Sequence, residues 1–502
     1  MREYGAKESI IKNSFWNLLT TLINRFGGLA FTIILARYLL PEGYGLYTII
    51  FSTTMIFFTF ADLGVNSTLV RYLSEALSKE KKKVTSYYRY LLKVKLILVL
   101  SVFFLLVLCA YPLAYYFYDN ASLFFPLLVA ALFMLVTAIE VFHAQIFYAI
   151  ERTRYVAQRE IITQILRIGF VFLIFYHISK ENQITSIFAL LAIVHLFVFG
   201  WILFYLRKLL PDLYKKSKEA IDKKRVRTFL KFITIASISA MFFSYVDSIM
   251  LGVFLPPEFA GYYQVAFSII IGVASLSAFP NGILLPIFTK LDNNKIERTI
   301  NKTVKYISIL AIPSSFGIII LGRYLVRALY GYDYLSASIP LYALAPLIFP
   351  MIFVGTFLSL FSAKEKPQIF AKLILITLFM NVVLNFILIK ILLPVSPIWA
   401  TAGVGIATSL SWIFYFLAAL SISKKQFNLK ISLRPTIKPI ISSVIMSLVL
   451  FYFLLTVPSF DLIMGAMLVS TGILVYVASM LIIKGIEKQD LEIIKLFFKK
   501  VH

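Results

Sequence analysis

Fourteen separate stretches of this chain each match the roughly 20 apolar residues that a helix needs to cross a bilayer's hydrocarbon core. They fall at about 15–38, 44–63, 91–118, 122–148, 160–178, 184–206, 229–252, 261–286, 303–322, 338–361, 369–390, 399–422, 438–457 and 461–483. Hydrophobic residues make up 60% of the 502 positions, too many for a soluble domain of this size. Lipid offers no hydrogen bonds to a backbone, so such stretches are expected to be helices. The predicted fold class is therefore an all-α polytopic membrane protein with about fourteen transmembrane helices.

A net charge of +25 invites a nucleic-acid reading, but the placement of the charge opposes it. On the fourteen-span layout, 42 of the 49 Lys and Arg residues fall on one side of the membrane. Only Lys180, Arg323, Arg327 and Lys390 fall on the other, and Arg25, Arg37 and Arg167 lie within spans. Positive loops stay inside, so both termini are expected in the cytoplasm of a multi-pass cell-membrane protein. The basic loops 71–95, 207–231 and 424–438 then read as topology determinants that touch anionic lipid headgroups. The single cysteine, Cys109, excludes a disulfide framework or a cysteine-rich metal site. With Asn17, Asn24 and Arg25 and no small-residue cleavage site, the first apolar stretch reads as a retained helix rather than a signal peptide. No Gly-Lys dipeptide, zinc-protease motif or Gly-x-Ser-x-Gly elbow occurs, and the external connections are short. No catalytic residue, cofactor or metal is expected.

One turn is written twice. Leu39-Leu40-Pro41-Glu42-Gly43-Tyr44-Gly45-Leu46-Tyr47 recurs as Leu255-Pro256-Pro257-Glu258-Phe259-Ala260-Gly261-Tyr262-Tyr263, at an offset of 216. A turn of this form between apolar helices marks a duplicated membrane unit. Six spans separate the copies, so both face the same side and the repeats run parallel. The expected organisation is a six-helix lobe at 1–206, a basic linker at 207–228 and a second six-helix lobe at 229–422. Two more helices at 438–483 and an amphipathic cytoplasmic tail at 484–502 complete it.

Polar side chains inside a membrane are costly, so those sharing a helix face are informative. Asn17, Thr21, Asn24 and Gly28 share one face of the first span, and Thr48, Ser52, Thr59 and Asp62 one face of the second. Shifted by 216, these positions include Ser244, Gln264, Ser268 and Ser275, with Asp247 nearby. Such stripes either let helices pack closely or line a hydrated cavity, and their recurrence in four symmetry-related spans favours the cavity. Arg25 lies roughly 15 Å deep and Arg167 roughly 10 Å, so each needs a partner, water or an anionic substrate. Arg25 or Arg167 could pair with Glu140 or Asp247 to hold helices together. Alternatively, those two carboxylates could carry a coupling ion, H⁺ or Na⁺. His195 reads as a packed or hydrogen-bonded residue. Asn381 and Asn385 could either line a cavity or bridge helices.

These features resemble the multidrug/oligosaccharidyl-lipid/polysaccharide (MOP) exporter superfamily, and within it the Wzx-type polysaccharide-transporter branch. The residues that carry the resemblance are Ala36-Arg37-Tyr38-Leu39-Leu40-Pro41 through Gly45 and Tyr47, followed by Asp62-Leu63-Gly64 and Arg71-Tyr72. The resemblance implies a monomeric flippase that moves a polyprenyl-(pyro)phosphate-linked oligosaccharide to the outer leaflet by alternating access. Polysaccharide polymerase machinery is an implied partner. Cavity cations suit the phosphate linker, with Arg25 first, Arg167 second, and Asn17, Asn24, Ser244 and Gln264 as further cargo contacts. A cation-coupled drug exporter of the same superfamily and a membrane-embedded glycosyltransferase are the competing readings.

Overall fold

The structure is a computed structural model that describes residues 2–215, 219–277, 284, 287–456 and 462–485. Its described residues are helical with short turns and no strand. Among the described residues, eleven helical segments are long and apolar enough to cross a membrane. The first of them, Phe15–Lys79, holds two expected spans, because the helix α1 (Arg2–Asp62) breaks at Leu40. Pro41 lacks a backbone donor and its ring crowds the preceding turn, which forces Leu40 out of helical geometry to φ 60, ψ 173. A leucine held there costs about 1–3 kcal/mol, so packing around it must hold the turn in place.

The helices α2 (Val65–Lys79), α3 (Val84–Pro112), α4 (Phe124–Ala149), α5 (Thr153–His177), α6 (Lys180–Leu209), α7 (Lys223–Phe254) and α8 (Pro257–Ser277) follow. The last two occupy the seventh and eighth expected spans. By Cα packing the chain forms two compact units, Met1–Gln264 and Val265–His502.

In the first unit the two copies of the Pro-Glu turn touch each other. A Cβ built on Gly45 would lie 1.8 Å from the Pro257 carbonyl oxygen, and one on Gly261 would lie 2.6 Å from that of Pro41. Position 261 is 45 shifted by 216, and 257 is 41 shifted by 216. The contact is therefore reciprocal, as a two-fold relation requires. Only glycine permits so close a backbone approach. The same packing continues along α7, where Gly252 meets Ile49, Tyr245 meets Phe51 edge-on, and Thr234 donates to the Leu63 carbonyl at 2.8 Å.

At the far end of α1 the Asp62-Leu63-Gly64 turn uses two left-handed residues, Leu63 (φ 43) and Gly64 (φ 79), to release the chain into α2. Asp62 is fixed by Lys95, whose fully buried ammonium donates to it at 2.8 Å. The buried side of α2 (Val65, Leu69, Tyr72, Leu73, Ala76) packs on α3 and α4. The linker that precedes α7 is tied back onto this layer. Thr85 donates to the Asp212 carbonyl, Arg89 to that of Tyr214 and Tyr72 to that of Arg225. Arg225 in turn grips Glu75 with two bonds of 3.1 Å, which hold the Glu75 carboxyl below its usual pKa.

The second unit is organised by α9 (Asn293–Tyr330), followed by α10 (Ser338–Leu344), α11 (Ile348–Ala363), α12 (Pro367–Leu392), α13 (Pro397–Phe427), α14 (Ile437–Thr456) and α15 (Leu462–Ile482). Leu321 of α9 packs with Met446 and Leu450 of α14 and Tyr476 and Met480 of α15 in one core. The segment between α13 and α14 lies along α9. Asn301 bonds both the Lys430 carbonyl and the Ser432 amide, and Glu297 accepts from the Lys430 amide. Asn381 and Asn385 are fully buried; Asn381 donates to Thr408 at 3.1 Å and so bridges α12 to α13, while Asn385 donates to Asn381 on its own helix.

Candidate functional site

The densest polar network inside the membrane spans four helices of the first unit. It begins on α6, where Nδ1 of His195 lies 3.4 Å from Oε2 of Glu140 on α4. Arg159 of α5 clamps the same carboxylate, with Nε 2.6 Å from Oε1 and Nη2 2.9 Å from Oε2. Its third nitrogen, Nη1, donates to Oε2 of the neighbouring Glu160 at 3.3 Å. The other oxygen of Glu160 accepts from Asn24 of α1 at 3.0 Å and from Gln164 at 2.8 Å. Gln164 then accepts from Nε of Arg167 at 2.9 Å.

Local sequence explains the placement. Glu160, Gln164 and Arg167 recur at helical spacing on one face of α5, opposite Asn24, Gly27, Gly28 and Phe31 on one face of α1. Gly27 lets the helices approach, since a Cβ there would lie 2.5 Å from the Gln164 side chain, whereas one on Gly28 would make an ordinary contact at 3.7 Å with Nη2 of Arg167. The Arg167 guanidinium stacks on the Phe31 ring at 4.6 Å and lies near the Tyr47 side chain. Among the described residues, no hydrogen-bond acceptor meets its terminal nitrogens. Asn24 spends its amide nitrogen on Glu160 and keeps its carbonyl oxygen for other donors.

This network corrects one expectation. Glu140 pairs with Arg159, and neither Arg25 nor Arg167 reaches it. Arg159 lies just before the expected fifth span, 160–178, and the helix α5, which already runs from Thr153, carries it alongside Glu140. A buried carboxylate with so close a clamp is satisfied in place. The missed residues, Arg159, Glu160 and Gln164, carried a readable signal in the polar spacing that ends at Arg167. His195 is hydrogen-bonding, as expected, while His143 bonds Tyr88 and the Ile139 carbonyl.

The remaining candidates lie apart from this network. Asn17 on α1 and Ser244 on α7 are exposed, Arg25 on α1 and Gln264 on α8 are half-buried, and the network bonds none of them. Asp247 on α7 is buried and accepts from the Tyr263 hydroxyl at 2.5 Å. In the second-span stripe Thr48, Ser52 and Thr59 are buried and Asp62 is half-buried, with Thr48 and Thr59 bonding back to the Tyr44 and Met55 carbonyls. Ser275 bonds the Ile271 carbonyl in the same way. The side chains of Ile233, Ser237 and Ala240, and all of Ala278, lie outside the described residues, as does the expected tail helix beyond Gly485.

Broken helices around a buried polar network are features that membrane transport folds share. Comparison with solved structures gives the fold. The fold matches that of the lipid II flippase MurJ in its inward closed conformation (TM-score 0.74, 18% identity, covering 94% of this chain and 98% of that one). It also matches an inward-facing multidrug resistance MATE family transporter of the MOP superfamily (TM-score 0.62, 12% identity, 81% and 96% covered). Residues 10–292, more than half of the chain, match the family described as polysaccharide biosynthesis protein, and the chain belongs to that family. A curated relative is the probable low-salt glycan biosynthesis flippase Agl15 of Haloferax volcanii, 26% identical over 194 residues. That match covers 37% of this chain and 38% of the relative, well under half of its length. The superfamily and branch expected from the Pro-Glu turn and the Asp-Leu-Gly turn are the ones these matches support.

Proposed function

We propose that this protein is a flippase that carries a polyprenyl-(pyro)phosphate-linked oligosaccharide from the cytoplasmic to the outer leaflet for cell-surface glycan biosynthesis. The observation that carries the reading is Arg167. It is a cation inside the membrane whose Nε is anchored, whose face is stacked on Phe31, and whose terminal donors meet no acceptor among the described residues. A phosphate oxygen suits those donors, because a charge-assisted bond offsets the cost of removing both ions from water. The carbonyl of Asn24 suits a sugar hydroxyl on the same cargo. Arg25, the next residue on α1, is a second proposed phosphate contact, with Asn17, Ser244 and Gln264 lining the cargo's path. The chain performs no covalent chemistry in this reading. Movement is by alternating access of two six-helix lobes, 1–206 and 229–422, joined by the linker 207–228. Any ion coupling is assigned to Asp247, since Glu140 is committed to Arg159. The protein acts as a monomer in the cell membrane with both termini cytoplasmic, and supplies cargo to a polysaccharide polymerase.

The test is leaflet exchange in proteoliposomes that contain a fluorescent lipid-linked oligosaccharide and an impermeant quencher. Wild type is expected to expose the inner pool, and Arg167→Ala and Arg25→Ala to lose at least about 90% of the rate while remaining folded, as expected when a desolvated charge contact is removed. Full exchange by both variants would overturn the site. Drug efflux without any glycan exchange would favour the cation-coupled exporter, and glycosidic bond formation in detergent would favour the transferase.

A further inference from the structure

We infer that Glu160 is a positioning residue: it orients Arg167 for the cargo's phosphate without touching the cargo itself. The inference rests on the flippase reading for the identity of the cargo, but its geometry stands alone. Glu160 sits where three donors from two helices converge, with Asn24 and Gln164 on one oxygen and Arg159 on the other. An amide side chain can face either way. By taking the Gln164 amide nitrogen, Glu160 leaves the Gln164 carbonyl oxygen facing Nε of Arg167. That bond, with Phe31 beneath the guanidinium plane, fixes two of the directions in which Arg167 could otherwise swing. Its terminal nitrogens are the donors left for an anion. The same carboxylate occupies the Asn24 amide nitrogen, so the Asn24 carbonyl is presented on the neighbouring turn of α1. One acid thus sets the orientation of two cargo contacts, a phosphate donor and a hydroxyl acceptor.

A bland role competes with this one, in which Glu160 merely helps neutralise Arg159. The geometry weighs against it, since Glu140 already clamps Arg159 through two nitrogens at 2.6 and 2.9 Å, while Glu160 reaches it only at 3.3 Å. Neutralising Arg159 also gives no reason for Asn24 and Gln164 to meet on the opposite oxygen.

A double-mutant cycle separates the two roles, because a residue that acts through another loses its effect once the other is gone. The probe is farnesyl phosphate, a short isoprenyl monophosphate, and the readout is its Kd from the shift in thermal midpoint of purified full-length protein in detergent. Arg167→Ala is expected to weaken binding about 100-fold and Glu160→Ala about tenfold, while Glu160→Ala in the Arg167→Ala background adds less than about twofold. Glu160→Gln keeps an acceptor oxygen for Asn24 and Gln164, and is expected to stay within about threefold of wild type. That rescue gives a second reading should Glu160→Ala fail to fold. Equal tenfold losses in both backgrounds would overturn the inference, as would normal binding by Glu160→Ala, failure of Glu160→Gln to rescue, or no binding by wild type. Wild-type binding without leaflet exchange would overturn the flippase reading and leave the positioning role standing.

Discussion

At the sequence offset of 216 the fifth and eleventh expected spans correspond, yet the charged face of one has no charged counterpart on the other. Carried to α5, the offset of 216 sets Glu160, Gln164 and Arg167 against Ile376, Met380 and Val383 of α12. Both helices hold to a neighbour by buried polar bonds. On α5 these are ionic and leave donors over at Arg167. On α12 the neutral Asn381 donates to Thr408. The two turn tyrosines differ in the same sense: Tyr47 lies by the cation Arg167, whereas its counterpart Tyr263 donates to the anion Asp247. The turn contact at Gly45 and Gly261 is reciprocal, while the charges of α5 are not matched at the corresponding positions of α12. In the function proposed above, the phosphate contact therefore comes from α5 and not from its counterpart α12.

The largest effect should come from breaking the charged helix. Glu140→Ala leaves Arg159 buried with its main partner gone, at an expected cost of about 3–5 kcal/mol. The checks are yield of monodisperse protein and thermal midpoint in detergent. Glu140→Leu combined with Arg159→Met should recover most of that loss, since a buried pair replaced by apolar groups of similar volume is often neutral. Recovery of fold without recovery of exchange would show that the pair serves the site as well as the scaffold.

Next in size is the reciprocal contact. Gly45→Ala sets a methyl against a backbone carbonyl that cannot rotate away, and should cost about 1–3 kcal/mol as overpacking. Gly261→Ala meets its carbonyl at 2.6 Å rather than 1.8 Å and should cost less. Gly200→Ala, with no atom within 4 Å, is the control expected to be neutral or slightly stabilising. Equal midpoints for all three would refute the close packing.

On the neutral side, Asn381→Leu should cost only about 0.6–1.7 kcal/mol, the range found for single interhelical bonds in membranes. A loss as large as that of Glu140→Ala would remove the contrast between the two helices. The smallest effect concerns the linker. Arg225 depresses the Glu75 carboxyl, so this tie is present above the ordinary pKa of a glutamate and is lost as pH falls through the lowered one. Spin-label distances between α2 and the start of α7 should lengthen only in acid, and Glu75→Gln should remove that acid dependence.

Much of the molecule was legible before folding. Lipid penalises every unpaired backbone group, so each apolar stretch had one available structure. The broken first helix was legible in Pro41 and the duplication in two copies of one turn. Arg167 and Asn24 stood out because a charge or amide at that depth must have a reason. The choice of partners was not legible. Hydropathy shows that Glu140 cannot face lipid, but three cations could have met it. The one that does, Arg159, was decided by how α4 and α5 align and by how closely Gly27 lets α5 settle against α1. Depth, register and side-chain reach act over a few ångströms, and two helices set them together. Sequence alone therefore determined which residues had to be satisfied, and tertiary structure decided which neighbours satisfy them and which donors remain for a ligand.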